Sequence, residues 1–147
     1  SEAKTAVVTG KQVWDWLEKE LQNAFAKDPS KRFGGWFVRY NGMEVNFTIG
    51  NEFGKRVNSV KVGGEPIDLT KEYSIVACER EGDPEDTLCR IEHVKNPKKS
   101  PLLMHDVIIE YLKDHSPVAP KLEGRAIATD EPQTLLTQLK GTTYEFR

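Results

Sequence analysis

A chain of 147 residues, 37% hydrophobic and 30% charged, has the size and make-up of one soluble domain with a densely charged surface. Its 21 basic and 23 acidic residues leave a net charge of −2, which provides no basic face for a nucleic-acid polymer or an anionic membrane. No apolar run approaches the roughly 18 residues of a membrane span, and Ser1-Glu2-Ala3 reads as a trimmed start rather than a signal peptide.

After the apolar Ala6-Val7-Val8, Thr9 and Gln12 have the spacing of a capping box, in which each side chain satisfies the other residue's backbone donor. The helix this predicts carries Val13, Trp14, Leu17, Leu21, Ala24 and Phe25 on one face, with Lys19, Glu20, Gln22 and Asn23 largely off it. Asp28-Pro29 stops it. Gly34-Gly35 opens a β region: Trp36–Tyr40 and Met43–Phe47 read as strands, and Asn41-Gly42 between them is a hairpin turn signal. A strand over Val57–Val62, a turn at Gly63-Gly64 and the segment Ile67-Asp68-Leu69 come next. Tyr73–Cys78 is the most buried-looking strand in the chain.

Glu79 to Asp86 is acidic and polar, broken by Gly82 and Pro84, and reads as a loop. Lys95–Lys99 reads as a basic connector. Ser100 and Pro101 mark the start of a second helix, with Leu103, Val107, Ile108, Tyr111 and Leu112 as its core face and Pro117 and Pro120 beyond its end. A strand over Gly124–Thr129, a last helix capped by Asp130, and a terminal strand from Thr142 complete the pattern. Hairpin-linked strands grouped apart from the helices predict an α+β fold, with mixed, mostly antiparallel sheets and packed helices, as a single domain over residues 1–147.

Chemistry-bearing motifs are absent. There is no phosphate-binding glycine loop, no nucleophile elbow and no His-Glu-x-x-His. His93, His105 and His115 lack helical i, i+4 spacing. Asp83, Glu85 and Asp86 cluster in one loop, either a cation or sugar-hydroxyl site or a solvated acidic surface. Cys78 and Cys89 are too few for a disulfide scaffold; pairing in an oxidising compartment and two buried thiols both remain open. From the residues alone, this is a binding or interaction domain.

Four segments, in order, resemble the C-terminal domain of 5'-nucleotidase enzymes. Thr9-Gly10-Lys11-Gln12 through Leu17-Glu18 is similar to that domain's opening helix. Gly42–Phe47 with Gly54-Lys55-Arg56-Val57 resembles its strand followed by a Gly-x-Arg-Val element. Gly64-Glu65-Pro66-Ile67-Asp68 through Tyr73–Val76 resembles its Gly-x-Pro strand pair, and Pro120–Ile127 its closing Gly-Arg strand. Within the family, Gly34-Gly35-Trp36-Phe37-Val38-Arg39 is most similar to the bacterial thiosulfohydrolase branch.

The resemblance implies a division of labour. The family's N-terminal metallophosphoesterase domain holds two divalent metals that activate water, while the C-terminal domain supplies the substrate pocket. This chain would then carry no cofactor of its own and hydrolyse nothing alone. Its partners would be that N-terminal domain of the same parent chain and a small anionic substrate. Export to the periplasm or the extracellular space is expected.

In the family's nucleotidases two phenylalanines sandwich the base and an aspartate holds the ribose. These positions fall on Ala3, Arg80 and Asp86, with the glycine pair before the aspartate replaced by Pro84-Glu85, and the pocket-floor glycine falls on Asn41, beside Gly42. The implied substrate-binding set is Arg39, Asn41, Gly42, Arg80, Asp83 and Asp86. Arg80 in place of a stacking ring points toward an anionic or non-nucleotide substrate, because a guanidinium forks onto phosphate, sulfate or carboxylate. The competing readings are surface salt bridges for Arg39 and Arg80, the latter with Glu79 or Glu81. For the whole chain they are a non-catalytic ligand- or partner-binding module, and a dimer-holding domain using Trp14, Trp16 and Trp36.

Overall fold

The computed structural model describes residues 2–33 and 37–130, the side chain of Cys78 excepted. Two compact units are built from them. One comprises residues 2–16 and Asp68–Glu123; the other comprises Leu17–Ile67 and, of the described residues, 124–130.

The first unit is organised by strand β1 (Glu2–Thr9), which runs antiparallel between β5 (Glu72–Cys78) and β6 (Lys95–Leu103). Alternation along β1 turns Lys4, Ala6 and Val8 inward and leaves Thr5 exposed. Helix α1 (Gly10–Phe25) starts directly after it. The capping box forms as its spacing predicts: Thr9 N–H donates to Gln12 Oε1 at 2.8 Å, and Gln12 N–H to Thr9 Oγ1 at 3.2 Å. Gly10 donates its N–H to the Lys71 carbonyl at 2.9 Å. A Cβ on Gly10 would sit 2.1 Å from the Asp68 carbonyl oxygen, so no other residue fits. Helix α2 (Met104–His115) follows β6.

In the second unit a four-stranded sheet has the order β4-β3-β2-β7, formed by β4 (Glu65–Pro66), β3 (Val57–Val62), β2 (Met43–Phe47) and β7 (Ala126–Ala128). Gly63 and Gly64, at φ 61° and 87°, supply the two-residue turn that pairs Val62 with Glu65. Leu17, Leu21, Ala24, Ala26, Val45, Phe47, Val57 and Val60 are buried apolar residues of this unit, with the Phe25 and Phe47 rings stacked at 6.2 Å. The combination of helices with two mostly antiparallel sheets is the α+β class expected.

Several local expectations are corrected. Residues 37–40 form no strand, and Asn41-Gly42 is a bend rather than a hairpin turn. Both edges of β2 are already occupied, by β3 antiparallel and β7 parallel, so the preceding segment has no ladder to join. It is held instead by side chains: Phe37 packs on Phe47 at 5.3 Å and on Tyr40 at 6.0 Å, and Tyr40 Oη donates to the Arg125 carbonyl. Strand β5 lies at a sheet edge with Val76 69% exposed, because β1 takes the central place.

The basic stretch Lys95–Lys99 lies within β6. Lysines and prolines mislead there, since an edge strand tolerates both. Ser100 and Pro101 consequently belong to the strand, and the helix begins at Met104 without a side-chain cap. The predicted apolar face of α2 exists, but no residue of the helix is buried; Val107, Ile108, Tyr111 and Leu112 are exposed. On α1, Trp16 and Glu18 are buried and Trp14 half-buried, and Glu20 lies inside rather than off the core. The Asp130 carboxylate accepts from the Ile49 and Gly50 N–H groups at 2.6 and 2.8 Å. The helix it was expected to cap, the terminal strand from Thr142 and the pairing of Cys78 fall outside the described residues and side chains.

Candidate functional site

Half of the implied binding set lies in the segment that joins β5 to β6. The chain leaves β5 with Glu79 N–H still bonded to the Glu2 carbonyl at 2.9 Å. It then makes two short turns, closed by Asp83 N–H to Arg80 O (3.2 Å) and Thr87 N–H to Pro84 O (3.0 Å), with Gly82 at φ 87°. Arg80 is exposed, and among the described residues its guanidinium makes no hydrogen bond or ion pair. Neither neighbouring glutamate takes it: Glu79 is committed to Lys99 at 2.9 Å and Lys4 at 3.5 Å. Asp83 is half-buried. Asp86 is exposed, and its carboxylate meets His93 Nδ1 at 3.0 Å.

Residues 87–94 then fold into a tight knot. Leu88 and Ile91 bridge each other, and both are buried with Thr87 and Val94. Trp16 Nε1 donates to the Cys89 carbonyl at 2.9 Å, and Gln12 Nε2 to the carbonyls of Glu92 and His93. Val94 N–H returns to the Asp86 carbonyl at 2.9 Å. Cys89, Arg90, His93 and Asn96 all hold positive φ, between 50° and 67°. Such conformations strain non-glycine residues and persist where surrounding contacts over-determine the backbone.

Electrostatics bind the loop to the sheet. The hydrogen bond from Lys99, opposed by some burial and helped by the charges of Lys99 and Lys4, holds the Glu79 carboxyl below its ordinary value of 4.5. The same contact pushes Lys99 above 10.5.

The other half of the set lies in the second unit. Arg39 is exposed and, among the described residues, makes no ion pair, so the salt-bridge reading has no partner there. Asn41 accepts the Gly42 N–H on its own Oδ1 at 3.0 Å, and the Gly42 carbonyl accepts from Gly63 N–H. Gly42 sits at φ 81°, a conformation that favours glycine. Arg80, Asp83 and Asp86 are thus gathered in one unit, and Arg39, Asn41 and Gly42 in the other.

Lys4 escaped the sequence reading, while Glu79 and His93 were named there only as a neighbour of Arg80 and as an isolated histidine, outside the binding set. One signal was available, because Lys4 shares the inward register of Ala6 and Val8 on β1. Among the described residues, no group of three or more His, Cys, Asp or Glu side chains is placed to hold a metal ion. No described helix is long and apolar enough to cross a membrane.

The sequence model of the family described as "5'-nucleotidase, C-terminal domain" matches residues 2–79, just over half of the chain. The chain belongs to that family. A curated relative, "Protein 5NUC" of Lutzomyia longipalpis, is 26% identical over 117 aligned residues, covering 74% of this chain and 20% of the relative. Among solved structures, a Thermus thermophilus sulfate thiohydrolase SoxB superposes with a TM-score of 0.65 at 22% identity, over 88% of this chain and 23% of that one. A 5'-nucleotidase precursor from Thermus thermophilus gives 0.62 at 21% identity, over 89% and 26%. At that identity the likeness shows the fold. The chain spans about a fifth to a quarter of the length of these relatives.

Proposed function

We propose that this chain is the substrate-recognition domain of a 5'-nucleotidase-like, metal-dependent hydrolase acting on nucleotides or a related phosphorylated or anionic substrate. The observation that carries the reading is Arg80: an exposed guanidinium with no ion pair among the described residues, on a loop where Glu79 is paired to Lys99 and Lys4 and Asp86 to His93. A cation left open in that setting suits an anionic group. Asp83 and Asp86 would accept hydroxyl donors of the same ligand. Arg39, Asn41 and Gly42, in the second unit, are likewise proposed as substrate-binding residues. The hydrolysis itself would require two divalent metals in an N-terminal metallophosphoesterase domain of the parent chain, which is the proposed partner. A periplasmic or extracellular location goes with this reading.

A thermal-shift screen of the chain against AMP, glucose 1-phosphate and sulfate tests it. Stabilisation by at least one anion that vanishes in Arg80→Ala supports the proposal. Failure of every anion to bind, with the full-length parent equally unresponsive, favours a non-catalytic partner-binding module that retained the fold.

A further inference from the structure

The loop over residues 79–86 is fastened from the sheet by a side chain outside the binding set. Lys4 stands on β1, the central strand, and is only 1% exposed. A buried ammonium loses its water, and its position is tolerable only where other groups replace that solvation. Here the replacements are the Glu85 carbonyl, at 2.7 Å from Nζ, and the Glu79 carboxylate, at 3.5 Å. These two partners bracket the stretch that carries Arg80 and Asp83. One buried charge therefore ties both ends of the loop to a single point on the sheet.

The strand has no need of Lys4 to keep its place. It is paired to β5 from Ala3 to Thr9, and to β6 on its other edge. The loop has far less of its own: two turn hydrogen bonds, the Glu79 N–H on the Glu2 carbonyl, and the outer contact of Glu79 with Lys99. Beyond it, Asp86 is fixed by the Val94 N–H and by His93.

We infer that Lys4 is a positioning residue for ligand binding, setting the loop so that Arg80 and Asp83 are presented in one geometry before any ligand arrives. The inference rests on the reading of this loop as substrate-binding. A loop ordered in advance spares a ligand the entropy of ordering it.

Lys4→Met keeps the length of the side chain and removes its donors. The chain carrying it should retain amide protection along the β1–β5 ladder while the Asp83 and Thr87 amides exchange faster. Its affinity for AMP should fall about tenfold, the scale of a lost charge-assisted hydrogen bond. Should Lys4→Met lose the ladder as well, Glu79→Gln decides when read beside Lys99→Met: the first leaves Lys4 in place and weakens the contacts of Glu79 with both Lys4 and Lys99, and the second removes the Lys99 contact alone. Faster loop exchange with weaker AMP binding in Glu79→Gln, and not in Lys99→Met, sustains the inference. Wild type that binds AMP, with a folded variant binding equally well and its loop amides unchanged, overturns the positioning role and leaves the proposed function standing. Wild type that binds neither AMP nor inorganic phosphate removes the reading on which the inference stands.

Discussion

Glu18 on α1 accepts the backbone N–H of Val57 at 2.7 Å and, through its other oxygen, that of Gly54 at 2.9 Å. Arg56 between them is buried and donates to Gln22 Oε1 at 2.5 Å and to the Ile49 carbonyl at 3.1 Å. The Leu-Glu of the family's opening helix and its Gly-x-Arg-Val element are therefore two halves of one buried polar contact. Glu18→Ala removes the acceptor of the buried Val57 N–H and of the part-buried Gly54 N–H and should lower unfolding stability by about 2–4 kcal/mol in urea titration. Glu18→Gln keeps one acceptor oxygen and should lose less.

Gly10→Ala should be worse than its size suggests. The new Cβ would lie 2.1 Å from a backbone carbonyl oxygen, which cannot rotate away as a side chain could. A loss of at least about 2 kcal/mol is expected, within the usual cost of overpacking, and a thermal melt beside wild type measures it.

These framework residues explain how much of the fold could be read from the chain. Gly10, Glu18 and Arg56 each satisfy or crowd backbone at a fixed place, so residue type and spacing survive as a pattern. Helix α1 was legible for the same reason, its capping box and apolar period being local. Strand β6 was not, because lysines and prolines suit an edge strand and a connector equally well. The segment at residues 37–40 misled because its aromatic side chains pack without a ladder. The three loop residues of the binding set were located correctly on a loop, whereas Lys4, which reaches that loop across 81 residues of sequence, left only its inward register on β1 as a clue.

The Glu79–Lys99 contact should give a stability difference that depends on pH. Glu79 has a folded-state value below 4.5, so its contribution is present above 4.5 and is lost as pH falls through the lower folded value. Lys99 has a folded-state value above 10.5, so its share persists below 10.5 and is lost as pH rises through the higher one. The melting-temperature gap between wild type and Glu79→Gln should be constant near neutrality and close in acid below 4.5. A gap that widens in acid contradicts the assignment.

Burial pushes the Tyr40 hydroxyl up to about 12, against a smaller opposing effect of Arg125. Ultraviolet titration should show a late phenol ionisation at about 12, and Tyr40→Phe should remove that late step. Because the unfolded phenol ionises near 10, the stabilisation is full below 10 and is lost between 10 and about 12.

The most direct test of the central claim is isothermal titration of AMP and of inorganic phosphate into this chain and into Arg80→Ala. Saturable binding by wild type, weakened about tenfold or more in Arg80→Ala as for loss of a charge-assisted contact, is the predicted result. Equal binding by the two proteins, or none by wild type, would contradict it.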